Sequence, residues 1–244
     1  ERAFRGELEI TAISIHTYPY VADKYALTTC GASMGDGYGP MIVAPSADFD
    51  PATLIVDEPT GHAAQAAAPK LAIPGKQTSA WLATQLWLGT SHLEHEVVPF
   101  DEILPRVASG EFAAGLIIHE GQITYQDHGL HKIVDLGAWW TETRGLPLPL
   151  GGNAIRRDLG EPAMRDVCAV LQRSIEHALA HREEAVRFAL NWARGMSDEL
   201  ADRFVGMYVN NWTLDYGQRG RQAVQQFIRE GIDAGLVPDC GEVD

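Results

Sequence analysis

Leu71-Ala72-Ile73-Pro74-Gly75-Lys76-Gln77-Thr78-Ser79 holds a strand, a turn and a helix start in nine residues. Three apolar residues are stopped by Pro-Gly, a pair that punctuates chain structure. Thr78 or Ser79 can then cap a helix running to about Gly89, its side-chain oxygen accepting from an otherwise orphaned amide. The same alternation continues outward. Downstream, residues 96–98 read as a strand, Asp101 caps a helix to Ala108, residues 113–118 form an apolar strand ending at His119-Glu120, 132–136 a strand and 138–144 a helix. Upstream, residues 8–15 read as a strand and 18–27 as a short helix. The glycine-rich stretch 28–40 then leads into the apolar run Met41–Ala44. Residues 46–70 are mostly loop, with 53–56 a short strand and the alanine cluster 63–68 a turn of helix. This alternation predicts an α/β fold of parallel sheets with helices on their faces.

After Leu148–Arg156, an extended run broken by Gly151-Gly152, the pattern turns helical over 162–180, 183–193, 198–210 and 218–234. Val167, Val170, Leu171, Ile175 and Leu179 recur three and four apart, as on one helix face. An α/β front, a compact α/β middle and a helical tail suit two lobes with a cleft between them. Residues 1–45 and 149–244 form the first lobe and 46–148 the inserted second, with 44–46 and 148–153 as the crossing strands. Residues 1–6 read like the end of a helix closing at Gly6, which predicts a segment upstream of residue 1.

Composition excludes several function classes. Of 244 residues, 45 % are hydrophobic and 21 % charged, values that support a sizeable core. Nineteen basic against 33 acidic residues leave a formal charge of -14, which offers no footprint for nucleic acid or an anionic membrane surface. An anionic substrate then needs a locally positive site. Cys30, Cys168 and Cys240 form no CxxC pair, and the odd count argues for reduced thiols rather than a disulfide framework. With no visible leader and no apolar run near the roughly 18 residues of a membrane span, the reading is cytoplasmic, with no membrane partner. The oligomeric state stays open, a homodimer included.

His119 is the leading candidate for chemistry. It follows an apolar strand, and open α/β sheets bind ligands beyond the carboxyl ends of their strands. Its ordinary pKa suits acid–base work near neutrality. A histidine that only caps the strand fits the same residues. Glu120, Tyr125 and Asp127 are near enough in sequence to orient an imidazole, although 119 and 120 would face opposite ways on a continuing strand. His92/His95 and His128/His131 lack further ligands, and Ile123 stands where an HExxH motif needs histidine, so no metal site is expected. Thr78 and Ser79, with Lys76 nearby, form a helix start suited to an anion or to nothing more than a cap. The GxxxxGK[ST] spacing fails, and glycines 31, 35, 37 and 39 form no GxGxxG, so no nucleotide cofactor is expected. Ser14 and His16 end the first strand, a good place for cleft residues. Trp139, Trp140, Tyr208, Trp212 and Tyr216 fit either an aromatic pocket or core, with core the simpler reading.

One resemblance covers almost the whole chain. It rests on 115–121 (Gly-Leu-Ile-Ile-His-Glu-Gly), Thr124-Tyr125-Gln126-Asp127, Val134-Asp135-Leu136-Gly137-Ala138-Trp139-Trp140, 145–151, Arg156-Arg157-Asp158-Leu159-Gly160, Asp23-Lys24-Tyr25 and Pro74-Gly75. Together these segments resemble the 1,4-dihydroxy-6-naphthoate synthases of the futalosine route to menaquinone. The resemblance implies a two-lobed periplasmic-binding-protein-like type II fold with a helical C-terminal region. It implies a lyase without cofactor, converting cyclic dehypoxanthinylfutalosine, a small anionic aromatic substrate, to the naphthoate with release of dihydroxyacetone. His119 becomes the catalytic base, and Ala12, Ile13, Ser14, Thr78, Ser79 and Ala80 the substrate contacts. Members of the family carry a further strand and turn ahead of residue 1. A non-catalytic solute-binding protein and the sister chorismate dehydratase are the rival readings; the His119-Glu120-Gly121 stretch favours the synthase.

Overall fold

The computed structural model describes residues 1–56, 69–191 and 197–243. Strand β1 (Ile10–Ser14) leads into a 3-10 helix, Ile15–Tyr20, and then β2 (Tyr25–Leu27), β3 (Ser33–Gly35) and β4 (Met41–Ala44). After the short 3-10 turn Pro51–Leu54 come β5 (Leu71–Ile73), α1 (Ser79–Leu88), β6 (His95–Val97), α2 (Phe100–Ala108), β7 (Ala114–Ile117), α3 (Gly121–Thr124), β8 (His131–Asp135), α4 (Leu136–Arg144) and β9 (Leu148–Arg156). The tail holds α5 (Glu161–Ala180), α6 (Arg182–Leu190), α7 (Asp198–Tyr208), α8 (Asn211–Leu214) and α9 (Gly217–Asp233). The alanine cluster 63–68 and the last residues of the helix expected over 183–193 lie outside the described residues.

Two sheets form two lobes. In the first, β9 pairs antiparallel with β1, β2 and β3, running from Gly35↔Leu148 to Tyr25↔Arg156. In the second the order is β6-β5-β7-β4-β8, with β6, β5 and β7 parallel and β4 antiparallel to both its neighbours. Parallel pairing, expected throughout, therefore holds only where α1 and α2 supply the crossovers that parallel strands require. Residues 41–44, expected in the first lobe, lie in the second sheet because β4 is paired on both edges there, so the chain crosses before residue 41 rather than at 45. The chain returns to the first sheet at β9. Residues 18–27 hold the end of a 3-10 turn and a strand rather than one short helix. Residues 53–56 hold the end of another 3-10 turn and a single bridge from Ile55 to Leu93.

One core runs behind both lobes. Ile15, Tyr18, Met34 and Phe227 of the first join Leu71, Ile73, Leu82 and Trp140 of the second. Trp140 meets Phe227 edge-on at 5.3 Å between ring centroids. A separate cluster, including Val43, Ile103, Val107 and Phe112, backs the second sheet. The stripe expected on α5 does not reach either cluster. That helix buries none of its residues and rests on α6, α8 and the turn at 157–159, leaving Val170 56 % exposed.

Candidate active site

The site begins where β7 ends. Gly115 lets α2 lie close on this strand: a Cβ there would come within 2.7 Å of Ile103 Cγ2 and 2.8 Å of Val107 Cγ2. The strand stops at Ile117, and two residues later His119 enters the left-handed region (φ 57°). It is the one non-glycine residue with positive φ among those described. This conformation costs an L-residue about 1–2 kcal/mol. The surrounding turn holds it there, with the Gln122 amide donating to the His119 carbonyl at 3.2 Å. Strain of this kind concentrates at functional positions.

His119 lines a cavity of about 540 Å³ between the lobes. The second lobe also contributes Thr78, Ser79, Ala80 and Gln122, and the first contributes Ser14, Ser33, Phe204 and Tyr208. The imidazole stands edge-on to Phe100 at 4.8 Å and tilted to Phe204 at 6.1 Å. Burial lowers its pKa below the ordinary histidine value, against an opposing pull from Glu120. The side chain is nonetheless exposed to water in the open cleft. Protein mass crowding the ring from both lobes, rather than loss of all water contact, is what disfavours the imidazolium. Among the described residues no protein group hydrogen-bonds to its ring nitrogens. Glu120 begins the short turn of α3 instead of continuing the strand, and neither Tyr125 nor Asp127 orients the imidazole.

Helix α1 enters as the sequence predicts, with Thr78 as N-cap accepting from the Trp81 amide at 3.1 Å and Gly89 closing it in the left-handed region. The two hydroxyls there are already committed. Thr78 Oγ1 donates to the Gly75 carbonyl at 2.9 Å. Ser79 Oγ, on a residue only 2 % exposed, donates to the Leu150 carbonyl at 2.6 Å and accepts from the His16 amide at 3.2 Å. Ser79 thereby bolts the second lobe's helix to two segments of the first. The first-turn amides of Ser79 and Ala80, residues that line the cavity, have no intrahelical acceptor and carry the positive end of the helix dipole.

His16 is not a cleft residue. It is buried, it donates from Nδ1 to the Thr78 carbonyl at 3.0 Å, and burial lowers its pKa. Of the expected substrate contacts, Ser14, Thr78, Ser79 and Ala80 share the cavity with His119. Ala12 and Ile13 instead line an adjoining hollow of about 590 Å³ that meets the first at Ser14 and Thr78. Trp140 and Tyr216 are core residues, whereas Tyr208 lines the cavity. Phe204 and Gln122 escaped the sequence reading. The available signal was the four-residue spacing of Phe204 and Tyr208 on one face of α7. A larger hollow of about 690 Å³ between α9 and residues 241–243 has a mixed lining that includes Gln222, Gln225, Arg229, Ile232 and Glu242, and holds none of the candidate residues. Among the described residues no three His, Cys, Asp or Glu side chains gather as a metal-ion group.

The chain is similar to several known proteins. A 1,4-dihydroxy-6-naphthoate synthase of Thermus thermophilus is 40 % identical over 235 residues, covering 96 % of this chain and 80 % of that protein. The enzyme of the same name from Streptomyces coelicolor is 36 % identical over 243 residues, covering 98 % and 81 %. A solved structure of an Archaeoglobus fulgidus protein superposes with a TM-score of 0.85 at 39 % identity, over 97 % of this chain and 83 % of that one. The periplasmic aliphatic sulphonate binding protein of Escherichia coli shares the fold alone, with a TM-score of 0.59 at 12 % identity over 99 % of this chain and 76 % of that one. These likenesses correct the cytoplasmic reading. The fold is common to a protein described as periplasmic, so neither the thiols nor the fold assigns this chain to the cytoplasm. A family model described as menaquinone biosynthesis matches residues 1–232, and with it the chain belongs to the menaquinone biosynthesis family.

Proposed function

We propose that His119 is the general base of a carbon–carbon lyase reaction carried out in the interlobe cavity. The activity is that of a 1,4-dihydroxy-6-naphthoate synthase in menaquinone biosynthesis. The observation that carries the role of His119 is its placement. A strained strand-end histidine, held toward its neutral form between Phe100 and Phe204, faces a cavity built by both lobes.

The substrate of this reading is cyclic dehypoxanthinylfutalosine, a bicyclic carboxylate. Its carboxylate sits at the start of α1, against the Ser79 and Ala80 amides, where a helix terminus favours negative charge. The hydroxyls of Thr78 and Ser79 are not donors to it, because their protons already go to Gly75 and Leu150. Ser14 and Ser33 line the cavity with hydroxyls that make no protein hydrogen bond among the described residues, and they supply the remaining polar contacts. His119 takes a proton from the substrate, the carbon–carbon bond to the three-carbon fragment breaks, the imidazolium returns the proton to that fragment, which leaves as dihydroxyacetone, and aromatisation of the remaining ring drives the step. Burial disfavours the imidazolium and so favours the form of His119 that can accept a proton.

Incubating the purified protein with cyclic dehypoxanthinylfutalosine tests the activity. Naphthoate absorbance should rise with an equal amount of dihydroxyacetone. Tight binding without turnover would mark a solute-binding protein and overturn the reading.

A further inference from the structure

We propose that Gln122 is a substrate-contacting hydrogen-bond donor of this reaction, and that Tyr208 is the residue that positions it. The inference rests on the cavity around His119 being the active site. Gln122 is 6 % exposed and lines that cavity. Its Oε1 accepts from the Tyr208 hydroxyl at 2.5 Å. Burial raises the Tyr208 pKa, so the phenol keeps its proton and acts as the donor. With Oε1 engaged, the amide cannot turn freely, and Nε2 has no protein acceptor among the described residues. With Oε1 held and Nε2 reached from the cavity rather than sealed in the core, the two N–H groups are placed to donate to whatever the cavity binds.

The placement suits a role beside the base. Gln122 follows His119 by three residues, and its own amide supports the His119 turn. A neutral donor does not add the positive charge that a lysine would bring near the imidazole. As His119 removes its proton, negative charge gathers on a substrate oxygen, and Nε2–H donates to that oxygen. No bond to Gln122 forms or breaks. Gln122 belongs to α3 of the second lobe and Tyr208 to α7 of the first, so their hydrogen bond spans the cleft. The donor is thus aimed only while the lobes are together.

Steady-state kinetics on the full chain with cyclic dehypoxanthinylfutalosine tests this. Gln122→Met keeps the size and removes the donor. Its kcat should fall about 10²–10³-fold, as for loss of one oxyanion donor, with KM within about threefold. Gln122→Glu, which still accepts from Tyr208 but cannot donate when ionised, should lose a similar factor and guards against a folding defect in the first variant. Tyr208→Phe should lower kcat about tenfold, without moving the acid limb of the pH profile. Combined with Gln122→Met it should add nothing further, because Tyr208 acts through Gln122. Gln122→Met and Gln122→Glu with kcat within threefold of the parent would overturn the inference, as would full additivity of the Tyr208 and Gln122 effects. If His119→Asn also retained turnover, the reading of the cavity itself would have failed; if only the Gln122 variants did, this inference alone would fall.

Discussion

Replacing Ser79 by alanine removes the one oxygen that joins three segments: α1, the 3-10 turn carrying His16, and β9 at Leu150. A buried donor or acceptor left unpaired costs about 1–3 kcal/mol. The His16 amide is deeply buried and bears the full penalty, whereas Leu150 is half-buried and bears less. The sum is about 2–4 kcal/mol. For a chain of this size each kcal/mol lowers Tm by about 2–4 °C, so Ser79→Ala should melt about 4–16 °C below the parent. The variant keeps its backbone amide, so KM should stay within about threefold. Thermal unfolding by circular dichroism beside steady-state kinetics reads both. A Tm within 2 °C of the parent together with a KM raised a hundredfold would show that the hydroxyl holds substrate, not the lobes, and would refute the reasoning.

Gly115→Ala should destabilise by about 1–3 kcal/mol through overpacking, since the added methyl meets Ile103 and Val107 at under 3 Å; chemical denaturation measures it, and an unchanged midpoint would contradict the close α2–β7 packing. The acid limb of kcat/KM reports the base of the free enzyme. Burial holds the His119 pKa below its ordinary value of 6.5, so the neutral, active form persists as pH falls through 6.5 and is lost only at lower pH. A limb with its midpoint at or above 6.5 would contradict this assignment of the base.

Local chemistry made the strand–turn–helix at 71–89 legible. Thr78 and Gly89 cap α1 where their side-chain types alone would place them. The apolar run before His119 was equally plain, and the whole of β9 could be read from its sequence. The failures share a cause, which is pairing between distant segments. Residues 25–27 look helical in isolation and become β2 only because β9 is there to receive them. Met41–Ala44 reads as a strand but nothing in it says that β7 and β8 flank it. Within the site, His119 was visible because a polar titratable residue ends an apolar run. Gln122 and Phe204 were not singled out, and Tyr208 was left between pocket and core, since a glutamine in a short turn and aromatics on a helix face have ordinary structural uses. Ser79 was found for its place at a helix start, yet its hydroxyl turned out to be spent on His16 and Leu150, segments 63 and 71 residues away.

The central claim is that His119 is the base, and its most direct test is kcat for His119→Asn measured beside thermal stability. Asparagine tolerates the left-handed backbone that this position requires, so the turn and the cavity wall should survive, while its amide cannot take a proton. The account predicts a Tm near that of the parent and a kcat lower by about 10²–10⁴-fold, equivalent to roughly 3–5 kcal/mol of barrier. A His119→Asn protein with kcat within threefold of the parent would contradict the account.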